Sequence, residues 1–383
     1  MTMKRICMIV YSYYPWDPRV RKEAEALTRN GYDVDVIALR NDEEKEFETI
    51  KNVNIYRLNQ KTKRGSQLRF LYQYSKFFCM SFFKLNHLDL SKKYDVIHIH
   101  SLPDYLVFVA FIQKLKGKKI ILDLHESFPE IFLSRFNNKL TAKLLEFIER
   151  ISANYAHSII TVSNTLKNMF VKRGIKKNIT VLFNVPDQKI SELKMKRPTS
   201  LKNKFILNYS GSLKKERGLD IAIKAINEVK EIIPNIYLMI FGSDDEENNL
   251  KKLVKNLKLK NCVYFGGKVT SQKVMEYNNI SDIGIIPWYS NPITEVGTPN
   301  KLFECIALEK PIIASETKAL KDLMGNSILF FKPGDYKEMS NQISFAYNNK
   351  NKTKAMTKKA KMIYNKINWD VMEKRLFTLY ENI

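Results

Sequence analysis

The chain has 383 residues, 44% hydrophobic and 27% charged, with 13 glycines and 12 prolines. At roughly 100 to 200 residues per domain it has room for two cores, and the composition excludes a collagen-like, linker-dominated or wholly disordered polypeptide. Charge is the outlier: 64 Lys+Arg against 40 Asp+Glu give +24, a field that favours anionic partners such as nucleic acid, acidic headgroups or phosphorylated substrates.

Cys7, Cys79, Cys262 and Cys305 are far apart and form no CxxC, so no zinc ribbon or disulfide framework is expected and the chain reads as reduced and cytoplasmic. The opening MTMKRICMIVYSYYP stops at Pro15 without a small-residue cleavage site and reads as a buried first strand, not a signal peptide. No run approaches the ~18 apolar residues that span a bilayer.

Residues 4–11 form a continuous apolar strand, 19–30 a helix closed by Gly31, and 32–39 a second strand, together a βαβ unit. Further strands are expected at 53–58, 96–100, 119–124, 158–162 and 179–182, with helical stretches between them. The polar stretch ISELKMKRPTSLKNK (190–204) reads as an interdomain linker, after which the pattern restarts with FILNYSGS. Second-half strands are expected at 205–209, 237–241, 262–265, 283–287, 311–314 and 328–331, with helices at 218–232, 246–257, 271–279 and 301–308 and a final helical segment at 369–383. Buried strands alternating with helices imply doubly wound parallel sheets.

A dinucleotide site needs GxGxxG after the first strand, but the loop reads Ser12-Tyr13-Tyr14-Pro15-Trp16-Asp17-Pro18-Arg19, and neither that motif nor a Walker A sequence is present. The second half opens with Gly211-Ser212 at a strand end and Glu216-Arg217-Gly218 leading into a helix. A glycine there admits a ligand to the backbone, and a cation before a helix N-terminus suits a phosphate; the alternative is a helix-start turn with a solvated arginine. In Glu295-Val296-Gly297-Thr298-Pro299-Asn300-Lys301-Leu302-Phe303-Glu304 a Gly/Thr/Pro turn feeds a helix whose first amides suit a diphosphate. Glu304, about one turn inside, either accepts hydroxyl hydrogen bonds or is an ordinary helix-face carboxylate.

YPWDPRVRKEAEAL, YDVIHIHS, DLHE, ITVSN, LFNVPD, YSGSLKKERGLD, GTPNKLFECIALEKPIIAS and Asn368-Trp369 occur in that order over nearly the whole chain. This ordered set resembles the family 4 nucleotide-sugar glycosyltransferases of the bacterial surface-polysaccharide type. The resemblance implies the GT-B fold, an α/β arrangement of two Rossmann-like doubly wound parallel-sheet domains facing across a cleft. It implies an N-terminal acceptor domain over 1–190, a donor domain over 191–366, and a C-terminal helix, 367–383, that packs back on the first domain.

The activity implied is transfer of a hexosyl-type group (EC 2.4) with retention, from a nucleoside-diphosphate sugar, UDP-sugar favoured, to a lipid-linked or soluble saccharide. No cofactor and no metal are implied. By match to the family's motifs, Arg217 holds the donor diphosphate and Glu304 the donor ribose. Ser212 stands where the family has a phosphate arginine, and Val296 where it has the first glutamate of its pair. Glu295 is one position away and takes that role only through a shifted loop; otherwise the Thr298–Lys301 backbone contacts the sugar. His125 matches the histidine near the transferring sugar, where it positions and stabilises charge without acting as a nucleophile; a merely hydrogen-bonded histidine is the alternative. The implied catalytic set is His125, Arg217 and Glu295. The donor-binding set is Gly211, Ser212, Thr298, Pro299, Asn300, Lys301, Leu302 and Glu304, and the first loop, with Pro15, Asp17 and Arg19, faces the acceptor.

His98 and His100 alternate on one strand and with His125 could offer three metal ligands, though buried strand histidines are commoner. Asp33-Val34-Asp35 mimics a DxD motif but reads as a solvated strand entrance. Residues 61–93 hold eight Lys/Arg and one acid, Asp89, interleaved with aromatics. They form either an interfacial helix for an anionic membrane or a domain helix with a basic outer face. No nucleic-acid fold signature accompanies them. The expected setting is the inner face of a membrane, peripherally; the rival reading is a non-catalytic basic protein that binds membrane or nucleic acid.

Overall fold

A computed structural model describes residues 4–62, 65–186 and 196–383. Part of the expected linker and two residues of the 61–93 segment lie outside the described residues. The chain divides into two compact units, Met1–Asn184 with Met372–Ile383, and Val185–Val371.

Unit 1 runs β1 (Arg5–Tyr13), α1 (Pro18–Arg29), β2 (Asp33–Leu39), β3 (Phe47–Ile50), β4 (Val53–Leu58), α2 (Gln67–Lys92), β5 (Val96–His100), α3 (Phe111–Leu115), β6 (Lys119–Leu124), α4 (Phe128–Phe136), α5 (Lys139–Tyr155), β7 (Ser158–Thr161), α6 (Asn164–Lys172) and β8 (Ile179–Val181). Its sheet order is β3-β4-β2-β1-β5-β6-β7-β8. The apolar run Ile6–Val10 is buried because β1 lies mid-sheet, with β2 and β5 paired in parallel on either side.

The parallel expectation fails at β3, which pairs antiparallel with β4. Lys51 and Asn52 between them both have positive φ, 49° and 65°, the geometry of a two-residue hairpin turn whose twist matches the flanking strands.

Unit 2 runs β9 (Phe205–Ser210), α7 (Leu219–Val229), β10 (Ile236–Phe241), α8 (Glu247–Asn256), β11 (Val263–Gly267), α9 (Ser271–Ile280), β12 (Ile283–Ile286), α10 (Pro292–Val296), α11 (Asn300–Ala307), β13 (Ile312–Ser315), α12 (Lys318–Met324), β14 (Leu329–Phe331), α13 (Tyr336–Asn348) and α14 (Lys350–Asn365). Its sheet is all parallel, in the order β11-β10-β9-β12-β13-β14. Its core joins Leu207 and Ile285 of the strands to Ile223 and Ile226 of α7 and Ile343 of α13.

The last helix, α15 (Trp369–Glu381), carries the chain into unit 1. There the Lys4 ammonium donates to the Tyr380 carbonyl at 2.9 Å, and Met372 Sδ accepts from the Phe183 amide at 3.2 Å.

In both sheets the strand order reverses direction beside the first strand, at β1/β5 and at β9/β12. Loops leaving such neighbouring strands diverge and open a crevice at their carboxyl ends, the ordinary ligand position in this architecture.

Candidate active site

In unit 2 the crevice falls at Gly211, after β9, and at Trp288, just past β12. Gly211 has φ 146°. A Cβ on Gly242 would lie 1.8 Å from the Gly211 carbonyl oxygen, so the two strand ends meet backbone to backbone and only glycine fits. Gly218, at φ 63°, closes the 3-10 turn Lys215–Arg217 and opens α7. A Cβ there would strike the Pro287 carbonyl oxygen at 1.8 Å. These close approaches hold Arg217 beside the end of β12, where its guanidinium sits 4.6 Å from the Trp288 ring centroid. No carboxylate among the described residues pairs with Arg217, and the buried Trp288 Nε1 has no hydrogen-bond partner.

The loop at Gly297 borders the same ring, since a Cβ there would lie 3.7 Å from it. Pro299 then caps α11 without a side-chain hydrogen bond, which leaves the first turn to its backbone amides. Leu302 is core, so only its amide can serve a ligand, and Asn300 is exposed.

Lys301 reaches back beneath the loop: its Nζ lies 3.1 Å from the Tyr209 ring centroid and would be 3.5 Å from a Cβ on Gly211. Burial, with Arg217 adding to it, holds this ammonium well below the usual lysine range, while Glu304 and Cys305 oppose the shift. Glu304 accepts from Asn278 Nδ2 at 3.3 Å, and Asn278 Oδ1 accepts from Asn208 Nδ2 at 2.6 Å, so the carboxylate is tied through α9 to β9. Gly211, Arg217, Lys301 and Glu304 thus gather at one crevice.

Two expected residues are otherwise engaged. Ser212 Oγ donates to Asp244 at 2.7 Å. Glu295 accepts from Ser290 Oγ at 2.5 Å and from the Lys318 amide, the first of α12, at 2.8 Å. Thr298 is half-buried in the loop between these features. Tyr209, Trp288 and Asn278 escaped the sequence reading; a tryptophan directly after a strand end was the available signal.

In unit 1, His125 follows β6 and its Nε2–H donates to the Ser101 carbonyl beyond β5, leaving Nδ1 as the acceptor face. Beneath it lies a closed polar cluster. Arg19 is 4% exposed and does not face an acceptor as the sequence suggested: Nε donates to Asp123 at 2.6 Å, Nη2 to Asp123 at 3.0 Å, and Nη1 to the Leu182 carbonyl at 3.0 Å. It also approaches Glu23 at 3.3 Å.

His100 Nδ1 meets Asp123 at 3.2 Å, and His98 Nδ1 meets the Tyr380 hydroxyl at 2.8 Å. Burial pushes Glu23 up to about 8 against the pull of Arg19 and lowers both histidines. Burial raises Asp123, but Arg19 and the His100 hydrogen bond prevail and hold it well below the carboxylate range.

Glu23, His98, His100 and Asp123 each bring a ligand atom within 4.8 Å of the others. This set, not one with His125, is what could hold a metal, and a cation there would have to share Asp123 and Glu23 with Arg19. Asp35 is not solvated: it is buried and accepts from the Tyr94 hydroxyl at 2.5 Å and from Asn54 at 2.9 Å.

Two parallel-sheet units with crevices at their switch points define a GT-B glycosyltransferase fold. The Glycosyltransferase Family 4 model matches residues 19–187, and the model for glycosyl transferases group 1 matches 192–362. The chain is a GT-B glycosyltransferase of the family 4 type.

It is 25% identical to an uncharacterised glycosyltransferase, MJ1069, of Methanocaldococcus jannaschii over the full length of both chains. It is 23% identical to the capsular polysaccharide biosynthesis glycosyltransferase CapM of Staphylococcus aureus, over 62% of this chain and 64% of that one. Among solved structures, sucrose-phosphate synthase of Thermosynechococcus elongatus superposes with TM-score 0.79 at 16% identity, over 99% of this chain and 98% of that one. Anabaena HepE in complex with UDP-glucose superposes at 0.75 and 14% identity, over 99% and 100%.

Proposed function

We propose that the chain transfers a hexosyl group, with retention, from a nucleoside-diphosphate sugar to a saccharide in surface-polysaccharide synthesis. Unit 2 binds the donor and unit 1 the acceptor. One observation carries the donor reading: Arg217, with no carboxylate partner among the described residues, stands at Trp288 beside the end of β12, next to the uncapped start of α11. Such groups stabilise a diphosphate as it leaves, without reorganising and without a metal, because they are already oriented where the charge develops. Glu304, one turn inside α11, holds the ribose, and His125 positions the transferring sugar through its other ring nitrogen, Nδ1. The complex of HepE with UDP-glucose and the role of CapM favour a UDP-sugar and a polysaccharide product.

The test is a thermal-shift panel of UDP, GDP, ADP and their sugars. A ligand selective for the folded state raises the melting temperature by mass action, and a protein that ignores all of them is not a nucleotide-sugar transferase.

A lipid-linked acceptor at the cytoplasmic face of a membrane completes the reading. Among the described residues no helix is long and apolar enough to cross a membrane. In α2, Phe77 and Leu85 enter the core while Leu68, Leu71, Tyr72, Phe83 and Leu90 face solvent. Helix α5 exposes Leu140, Leu144, Phe147 and Ile151, three or four residues apart, and both helices pack on the 3-10 segment Asp104–Ala110. Apolar stripes with nearby lysines suit an anionic interface. Flotation with anionic liposomes at low and high salt, comparing wild type with Lys76→Glu/Lys84→Glu, tests this; equal flotation of the two removes the 61–93 segment from the contact.

A further inference from the structure

We infer that the Lys301 side chain is the second phosphate cation of the donor site, in place of the arginine that position 212 lacks, and that the diphosphate binds together with a proton taken up at Lys301 Nζ. The inference rests on the diphosphate reading above and adds to it a residue and a linked proton.

The geometry is specific. Position 212 cannot serve, because its hydroxyl is short and already donates to Asp244 at 2.7 Å. The Lys301 amine comes from the neighbouring helix to the same strand end, within 3.5 Å of where a Gly211 Cβ would stand. Among the described residues it has no hydrogen-bond partner, not even Glu304 one turn along its own helix. A buried amine without an acceptor is costly, and native structures tolerate it chiefly where a ligand, ion or water supplies the missing partner. The Tyr209 ring beneath it, 3.1 Å away, presents a π face that favours the charged form once a counter-charge arrives.

Proton linkage follows from the surroundings. The groups acting on Nζ are Arg217, which disfavours a second positive charge, and Glu304 and Cys305 on α11, which favour it; burial outweighs both and holds the amine toward its neutral form. A diphosphate adds negative charge directly at the amine and reverses that balance. The proton comes from solvent and stays on Nζ while the ligand is bound.

Calorimetric titration of the full chain with UDP, GDP and ADP in two buffers of different ionisation heat at one pH tests this. Wild type should take up a substantial fraction of a proton per nucleotide bound. Lys301→Met should bind about 10²-fold more weakly with no linked proton, and without ligand should melt no lower than wild type, since it removes an unpaired buried amine. Adding Ser212→Arg to Lys301→Met should recover affinity without proton uptake, because arginine is charged throughout. Equal affinity of wild type and Lys301→Met, or wild-type binding with no buffer-dependent heat, overturns the inference and leaves the diphosphate reading standing. Failure of wild type to bind any of the three nucleotides overturns that reading itself.

Discussion

The two units treat their basic side chains in opposite ways. In unit 1, Arg19 pairs with Asp123 and Glu23, His100 with Asp123, and Tyr380 from the end of the chain with His98, although Glu23 Oε2 and both histidine Nε2 atoms have no hydrogen-bond partner among the described residues. In unit 2, among the described residues, the buried Lys301 Nζ has no hydrogen-bond partner, and the half-buried Arg217 has an aromatic face against it and no carboxylate. Both sets lie near strand ends at switch points, so position alone does not separate scaffold from site. Charge accounting does: a cation whose carboxylate is in the protein holds the fold, whereas one without such a partner awaits an anion.

The largest expected effect breaks the closed side. Arg19→Met leaves Asp123 buried without its cation, and removing one member of a buried pair costs about 3–5 kcal/mol. Chemical denaturation should register that loss. A fully stable Arg19→Met protein that has lost only activity would move Arg19 to the substrate side of the comparison.

Next, on the open side, Arg217→Ala should leave stability nearly unchanged and lower kcat/KM by about 10²-fold, the scale of losing one charge-stabilising donor. A folded variant of unchanged turnover would strip the unpaired cation of its meaning.

The paired glutamates sharpen the same contrast at smaller magnitude. Glu304→Ala should weaken donor binding by about tenfold, the scale of one lost hydrogen bond to a charged group. Glu295→Ala should cost about 1 kcal/mol of stability through loss of its hydrogen bond with the Lys318 amide and leave donor affinity intact. Titration calorimetry and thermal melts on both variants separate the roles; a donor defect in Glu295→Ala would return it to the site.

Much of this was readable in the sequence. The apolar runs at 4–11 and 205–209 had to be central strands, because a parallel strand is covered on both faces, and turn chemistry alone put Arg217 before one helix and Glu304 one turn inside another. What escaped depended on distant partners or mixed patterns. Phe47–Ile50 alternates between exposed and half-buried residues, too short to announce a strand without its hairpin turn. Helices α13 and α14 are not evident in the sequence, although Asp335 caps the first, because their lysine- and asparagine-rich outer faces obscure the period. Arg19 looked like a loop cation facing a ligand; its partner Asp123 lies 104 residues away, invisible to spacing. Lys301 was legible as a residue of a helix start, but which way its amine points is set by Tyr209 and Gly211 in another strand.

The smallest effect is a pH dependence of stability that originates in the closed cluster. Burial lifts the folded-state value of Glu23 to about 8, above the ~4.3 of an unfolded glutamate. The folded state therefore binds the extra proton, and the stability this contributes is full below the unfolded value and is lost as pH rises through about 8. His98 and His100 are lowered by burial, so their contribution is present above the unfolded value of ~6.5 and fades as pH falls. Glu23→Gln keeps a neutral group of the same shape and should remove only the alkaline arm. Its unfolding free energy should decline less than that of wild type between pH 6 and 9, with the acid arm unchanged. Parallel profiles for the two proteins across that range would mean that Glu23 stays ionised beside Arg19, and that the cluster in unit 1 carries one more charge than its sealed environment favours.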